Sequence, residues 1–168
     1  MGTQGYAYET YIKQLLEEQK YSYKIRKFER ETDFYIDMDL GESSTEVVRM
    51  EVYDSGSVFM VNHMPGFHIS NHRKEALEAV NELNNRYRFV CTGISSEDSL
   101  FFKSNFCLAR DEYAIKSIVS DYLQYYQSTC TKCRTKMKEV MQKLYEKDAD
   151  NANGSICFKT KLFEEEEE

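Results

Sequence analysis

The chain has 168 residues, of which 41% are apolar and 14% aromatic, and its formal net charge is −7. This length fits one domain with a sizeable core, and the 10 Phe and 13 Tyr exclude a long disordered chain. The run from Glu164 to Glu168 holds five of the 29 acidic residues, so the rest of the chain has 24 acids against 22 bases. That near-neutral body lacks the positive charge typical of nucleic-acid-binding proteins.

No stretch of about 18 uninterrupted apolar residues is present, so the sequence predicts no membrane span. The first residues contain neither a basic cluster nor an apolar run, so no secretory signal is predicted. The five cysteines are an odd number, and they are thinly spread over a chain with ample apolar residues. These features favour a reducing, cytoplasmic location.

The first half of the chain predicts one helix followed by three strands. Apolar residues recur at three- and four-residue spacing over 6–20, which is typical of a helix with one buried side. Apolar and polar residues then alternate in three segments, which predicts half-buried strands at 34–40, 46–53 and 58–64. Their links, 41–45 and 54–57, are short, so neighbouring strands are expected to be antiparallel. Residues 21–28 alternate too, and we interpret them as an extended lead-in whose pairing stays open.

The Pro-Gly pair at 65–66 ends this meander, and Ser70 or Asn71 is expected to cap a second helix that runs to residue 87. Two further strands and the turn-rich link between them are predicted at 88–94, 100–108 and 95–99.

Asp111 is expected to cap a long third helix, because no Gly or Pro interrupts an apolar seam that continues to about residue 145. Residues 148–155 have the composition of a loop. The sequence therefore predicts an α+β fold with a five-stranded antiparallel sheet and three helices, in the order α-βββ-α-ββ-α. We expect one domain over residues 1–147, followed by a linker and acidic tail at 148–168.

The element order, with residues 76–84 (ALEAVNELN) leading through 86–90 (RYRFV) to a strand pair, resembles the YbjN family of bacterial proteins. Members of that family are proposed to regulate sensory transduction, and they share their fold with type III secretion chaperones. The resemblance covers roughly residues 6–130. It implies a non-catalytic, chaperone-like module that binds another protein through an apolar surface and forms a homodimer.

Three histidines, His63, His68 and His72, lie within ten residues of each other, and three imidazoles could hold a zinc ion. His68 precedes the predicted cap, so helical spacing does not hold it on one face with His72. A polar loop between a strand and a helix is therefore favoured, and we expect no metal and no cofactor. The alternative is a metal-dependent regulator or hydrolase that uses this loop and the cysteines.

Cys130 and Cys133 form a C-x-x-C pair on the apolar seam of the third helix. A redox pair of the thioredoxin type needs its first cysteine at a helix N-terminus, where the helix dipole lowers the thiol pKa. The middle of a helix offers packing instead, so we expect both thiols to be buried, reduced and free of metal.

Basic and aromatic residues interleave between residues 21 and 35, a pattern that could grip single-stranded nucleic acid. Glu29, Glu31 and Asp33 dilute the positive charge there, so structural packing is favoured. We expect the partner to be another protein, not nucleic acid or a membrane.

Strands in both predicted hairpins carry apolar residues on both sides, and three helices are expected to leave part of that surface uncovered. The candidate residues for a partner or dimer surface are Leu77, Phe89, Leu100 and Phe102.

We predict from this apolar surface that the protein is a homodimer in solution. Covering apolar area gains about 25 cal/mol per Å², which can exceed the entropic cost of joining two chains. Light scattering at micromolar concentration should therefore give twice the chain mass of 19.9 kDa. A mass of one chain at every concentration would contradict the prediction.

Overall fold

A computed structural model describes residues 4–41, 45–64 and 69–164, which form an antiparallel sheet and three α-helices. Helix α1 and four strands come first, with the bounds α1 Gln4–Glu18, β1 Tyr23–Lys27, β2 Glu31–Met38, β3 Glu46–Tyr53 and β4 Ser57–Met64. The 3₁₀ turn Ser70–His72 then leads into the remaining elements, α2 Arg73–Arg86, β5 Cys91–Ile94, β6 Leu100–Cys107 and α3 Glu112–Glu164. No helix in this part of the chain is both long and apolar enough to cross a membrane.

The sheet has six strands in the order β1-β2-β3-β4-β6-β5, and every neighbouring pair is antiparallel. The predicted α+β class with an antiparallel sheet is confirmed, whereas the number of five strands and the element order are wrong. The additional strand is β1, which lies within the segment that we interpreted as a lead-in. Only Tyr23 and Ile25 of β1 are half-buried, so its alternation is too short to identify a strand without its partner β2.

Both predicted hairpin turns are confirmed. Residues 54–57 join β3 to β4, and in the link between β5 and β6 Ser95 donates its backbone N–H to Ser99 O (2.8 Å). Residues 46–64, all of them described, contain no helix. Gly56 lies in the left-handed region at φ 86°, and a Cβ atom there would come within 3.0 Å of the Tyr8 hydroxyl. Glycine is therefore required at this turn.

The start of α2 differs from the prediction. Neither Ser70 nor Asn71 caps the helix; the backbone N–H of His72 donates to Ile69 O (2.7 Å) and forms a 3₁₀ turn that leads into Arg73. The predicted cap of α3 is confirmed, because Asp111 Oδ1 accepts a hydrogen bond from the backbone N–H of Ala114 (3.0 Å). The predicted break at 65–66 and most of the link at 41–45 lie outside the described residues.

Helix α3 continues to Glu164, so the expectation of a loop at 148–155 is wrong. That segment is rich in Asp and Asn, each of which costs a helix less than about 1 kcal/mol, and it contains no proline that would force a break. At about 1.5 Å per residue, the 53 residues of α3 span about 80 Å. The division into a domain at 1–147 and a tail at 148–168 stays a prediction.

The core lies on one face of the sheet. Every second residue of β2, β3, β4 and β6 is buried there, and all three helices contribute apolar side chains to the same cluster. Helix α3 contributes eight of them, more than either other helix, at the three- and four-residue spacing of one helix side: Ile115, Val119, Leu123, Tyr126, Cys130, Cys133, Met137 and Met141.

Two polar contacts fix α3 against the sheet. The Tyr126 hydroxyl donates to Phe102 O on β6 (2.8 Å). The guanidinium of Arg134 is buried, pairs with Glu46 on β3, and places Nε 3.2 Å from the sulfur of Met64 on β4. Both contacts join the same side of α3 to particular strands, so they fix the orientation of α3 about its own axis.

We predict that Arg134→Met lowers the free energy of unfolding by about 3 kcal/mol, because it leaves the Glu46 carboxylate without its buried cation. The double variant Arg134→Met/Glu46→Leu should recover most of this loss, since it removes the buried charge as well. Urea denaturation measures the free energy of unfolding of the single and the double variant. Lys136→Met is the control, because Lys136 is an exposed residue of the same helix. Equal losses in the single and double variants would contradict the prediction.

Candidate functional site

The candidate site is the face of the sheet that points away from the helices, which we call the open face. Cross-strand register places its side chains in rows, and one such row runs from Tyr35 through Arg49, Val61 and Lys103 to Cys91. A parallel row contains Asp33, Glu51, Phe59 and Asn105. Apart from Asp33, all of these side chains are exposed or half-buried, whereas those of the opposite face are buried.

Apolar side chains occupy the middle of the open face. Val47 is 52% exposed and Phe59 is 45% exposed, and the half-buried Val61 lies next to Phe59 on the same side of β4. The Tyr53 ring packs edge-on against Phe59, with their centroids 5.7 Å apart. We call Val47, Phe59 and Val61 the apolar centre. A group of exposed apolar residues on a sheet is typical of an interaction surface.

Three carboxylates, Glu31, Asp33 and Glu51, lie beside the apolar centre, and we call them the acidic cluster. Arg49 bridges two of them, with Nε 3.5 Å from Asp33 Oδ2 and its terminal amine paired with Glu51. The Tyr35 hydroxyl donates to Asp33 Oδ2 (3.3 Å). Arg49 therefore forms ion pairs with two of the three acids.

The side chain of Asp33 is only 2% exposed, and its Oδ1 atom has no hydrogen-bond partner among the described residues. Burial raises the pKa of Asp33 above its ordinary value, the charge of Arg49 opposes that rise, and Glu31 and Glu51 add to it. Tyr53 donates its hydroxyl to Glu51 Oε2 (3.0 Å), and hydrogen bonds to Glu31 and Glu51 raise the pKa of this phenol. Tyr53 therefore stays a protonated donor at neutral pH.

The four candidate residues for a partner surface fall into two groups. Leu100 and Phe102 are fully buried in the core, so their prediction as surface residues is wrong; alternation along β6 defines two faces but not which of them points inward. Leu77 and Phe89 are exposed, and the Phe89 ring stacks on Tyr125 at 5.5 Å. Their part in a partner or dimer surface stays a prediction.

The two described histidines of the candidate loop, His63 and His72, have different neighbours. His63 is exposed at the end of β4 with its ring 6.1 Å from that of Phe101, and His72 Nε2 lies 2.8 Å from Asp148 Oδ2 on α3. His68 lies outside the described residues. Among the side chains that the structure describes, those of residues 8–41, 45–64, 69 and 71–149, no three His, Cys, Asp or Glu are placed to share a metal ion.

The cysteines also separate into two groups. Cys130 and Cys133 are buried free thiols on the seam of α3, which confirms their predicted packing, and burial raises the pKa of both. Cys91 and Cys107 are exposed free thiols on the open face, at the start of β5 and the end of β6. That the buried pair is free of metal stays a prediction.

The basic and aromatic segment around β1 is engaged within the protein. Lys27 pairs with Glu9 of α1 (2.9 Å), and the guanidinium of Arg26 lies 4.9 Å from the centre of the Phe28 ring. These contacts support the interpretation of this segment as structural packing.

Sequence reasoning missed the acidic cluster. Glu31 and Asp33 are two residues apart on β2, which places them on one side of a strand, but Glu51 is distant in sequence and joins them only through the pairing of Asp33 with Glu51. The spacing of Arg49 and Glu51, two residues apart on a half-buried strand, indicates charged groups on one side of β3 but not their neighbours on β2.

The chain matches no protein-family profile, and it matches no curated protein sequence. Among solved structures, it is similar to YbjN from E. coli, a proposed transcription regulator, with a TM-score of 0.47 and 9% identity. The alignment covers 76% of this chain and 91% of that chain. The similarity is distant and concerns the chain fold alone, so it assigns no function to the open face.

We predict that a thiol reagent distinguishes the two groups of cysteines. In a Cys157→Ser variant, Ellman's reagent should titrate Cys91 and Cys107 in the native protein and reach Cys130 and Cys133 only after unfolding, because burial shields these two thiols and disfavours their thiolates. Rapid reaction of all four thiols in the native state would contradict this placement.

Proposed function

We propose that the protein is a non-catalytic binding module that holds a segment of another protein on the open face of its sheet. The observation that carries this proposal is the apolar centre, in which Val47 and Phe59 are about half exposed on the face opposite the helices. Covering such side chains gains about 25 cal/mol per Å² of apolar area removed from water.

The polar groups of the open face support binding over catalysis. A nucleophilic mechanism needs a nucleophile beside a base that can activate it. Arg49 and two tyrosines engage the carboxylates of Asp33 and Glu51, and these contacts hold charge in place instead of preparing proton transfer. Such binding would be regulatory where it changes the activity of the protein that contains the bound segment.

The metal-dependent alternative has no comparable support. His63 and His72 contact Phe101 and Asp148 in different parts of the fold, and the C-x-x-C pair is buried on α3. Pairing of two copies, with Leu77 and Phe89 as its available residues, is a separate expectation that the light-scattering measurement addresses.

We predict that Val47→Thr/Phe59→Ser weakens peptide binding by at least about tenfold, because it removes the two most exposed side chains of the apolar centre. The measurement is the binding of labelled protein to an array of 15-residue peptides of varied sequence. Tyr113→Ser is the matched control, since Tyr113 is the most exposed aromatic residue described and lies at the start of α3, away from the sheet.

Circular dichroism confirms that each variant is folded before the array is read. Absence of bound peptides for the wild-type protein, or equal binding by wild type and Val47→Thr/Phe59→Ser, would overturn the proposal. If the same variant converts a dimer into a monomer in light scattering, the occupant of the open face is a second copy, which also contradicts it.

A further inference from the structure

We propose that the segment bound on the open face carries a lysine or arginine close to a large apolar residue, and that the acidic cluster binds this cation. The inference rests on the proposed function, since it names the kind of segment that the open face holds. It is carried by the charges of the cluster, by the shortage of hydrogen-bond donors around it, and by its position next to the apolar centre.

The acidic cluster has more acceptors than donors. Three carboxylates present six oxygen atoms, each of which can accept more than one hydrogen bond. The donors that reach them are the guanidinium of Arg49 and the hydroxyls of Tyr35 and Tyr53. When ionised, Glu31, Asp33 and Glu51 carry three negative charges, and Arg49 forms ion pairs with two of them. Arg26 lies opposite Asp33 on β1, but its guanidinium is placed over the Phe28 ring, 4.9 Å from the ring centre. The cluster therefore attracts a further cation.

An independent observation identifies the unsatisfied atom. Oδ1 of Asp33 is buried and lacks a hydrogen-bond partner among the described residues, a state that costs free energy. Asp33 points to the open face, because its other oxygen contacts Tyr35 and Arg49 there. The Arg49 side chain that lies over it is partly exposed, so an incoming cation can take a place beside it.

The register of β3 and β4 sets the spacing between cation and apolar contact. Glu51 is directly opposite Phe59, one strand or about 5 Å away, and Asp33 lies one strand further on β2, within reach of a long basic side chain. In an extended segment, side chains on one side are about 6–7 Å apart and separated by one residue. A segment with the pattern apolar-x-basic therefore fits both surfaces at once.

The same charges disfavour nucleic acid as the occupant. Phosphates are repelled by three carboxylates, and the phosphate backbone dominates nucleic-acid affinity. A basic protein segment complements the cluster in charge and supplies the missing N–H donors.

The experiment uses an array in which every 15-residue peptide containing Phe-x-Lys or Leu-x-Lys is printed beside twins with Gln or Glu in place of Lys. We expect the wild-type protein to bind the Lys peptides about tenfold more tightly than the Gln twins, and the Glu twins least. Asp33→Asn/Glu51→Gln should abolish this preference, because it keeps the side-chain shapes and removes two negative charges.

Glu78→Gln/Glu82→Gln is the matched control, since it removes two charges from exposed residues of α2 and should retain the preference. If Asp33→Asn/Glu51→Gln fails to fold, Glu51→Gln alone serves, because Glu51 is less deeply buried than Asp33. Binding that depends on Phe59 but shows no preference for Lys would overturn this inference and leave the proposed function standing. Absence of any peptide binding would contradict both this inference and the proposed function.

Discussion

Apolar side chains spaced three and four residues apart along α3 pack against one face of the sheet from Ile115 to Met141. The other helices join the same cluster, so burial of this seam determines which face of every strand lies in the core. The contacts of Tyr126 with Phe102 and of Arg134 with Glu46 then fix the helix in one rotation. Because all three helices pack on one face, they leave the opposite face uncovered.

The open face combines the two features that a protein partner can use. Phe59 and its neighbours offer apolar area, and Glu51 and Asp33 offer negative charge one and two strands away. Neighbouring residues shield the Asp33 carboxylate from water, but they do not donate a hydrogen bond to its Oδ1 atom. The sheet thus holds an incompletely satisfied acid two strands from an exposed aromatic ring, and each is costly to leave in this state.

The buried polar groups of α3 have a structural role by comparison. Arg134 finds Glu46 on the sheet, and Cys130 and Cys133 fill the seam as small apolar side chains whose thiol pKa values are raised by burial. A C-x-x-C pair in this setting lacks the helix N-terminus that activates redox cysteines. These groups therefore contribute to packing between α3 and the sheet.

The sequence by itself determined the elements whose signals are local. Period-two alternation placed β3 at its observed bounds, turn residues placed both hairpins, and Asp111 marked the start of α3. Only the tertiary structure decided that Leu100 and Phe102 point inward, that β1 pairs with β2, and that Glu51 joins Asp33. Alternation gives a strand two faces, but the choice between them and the register with a partner depend on contacts between residues far apart in the chain.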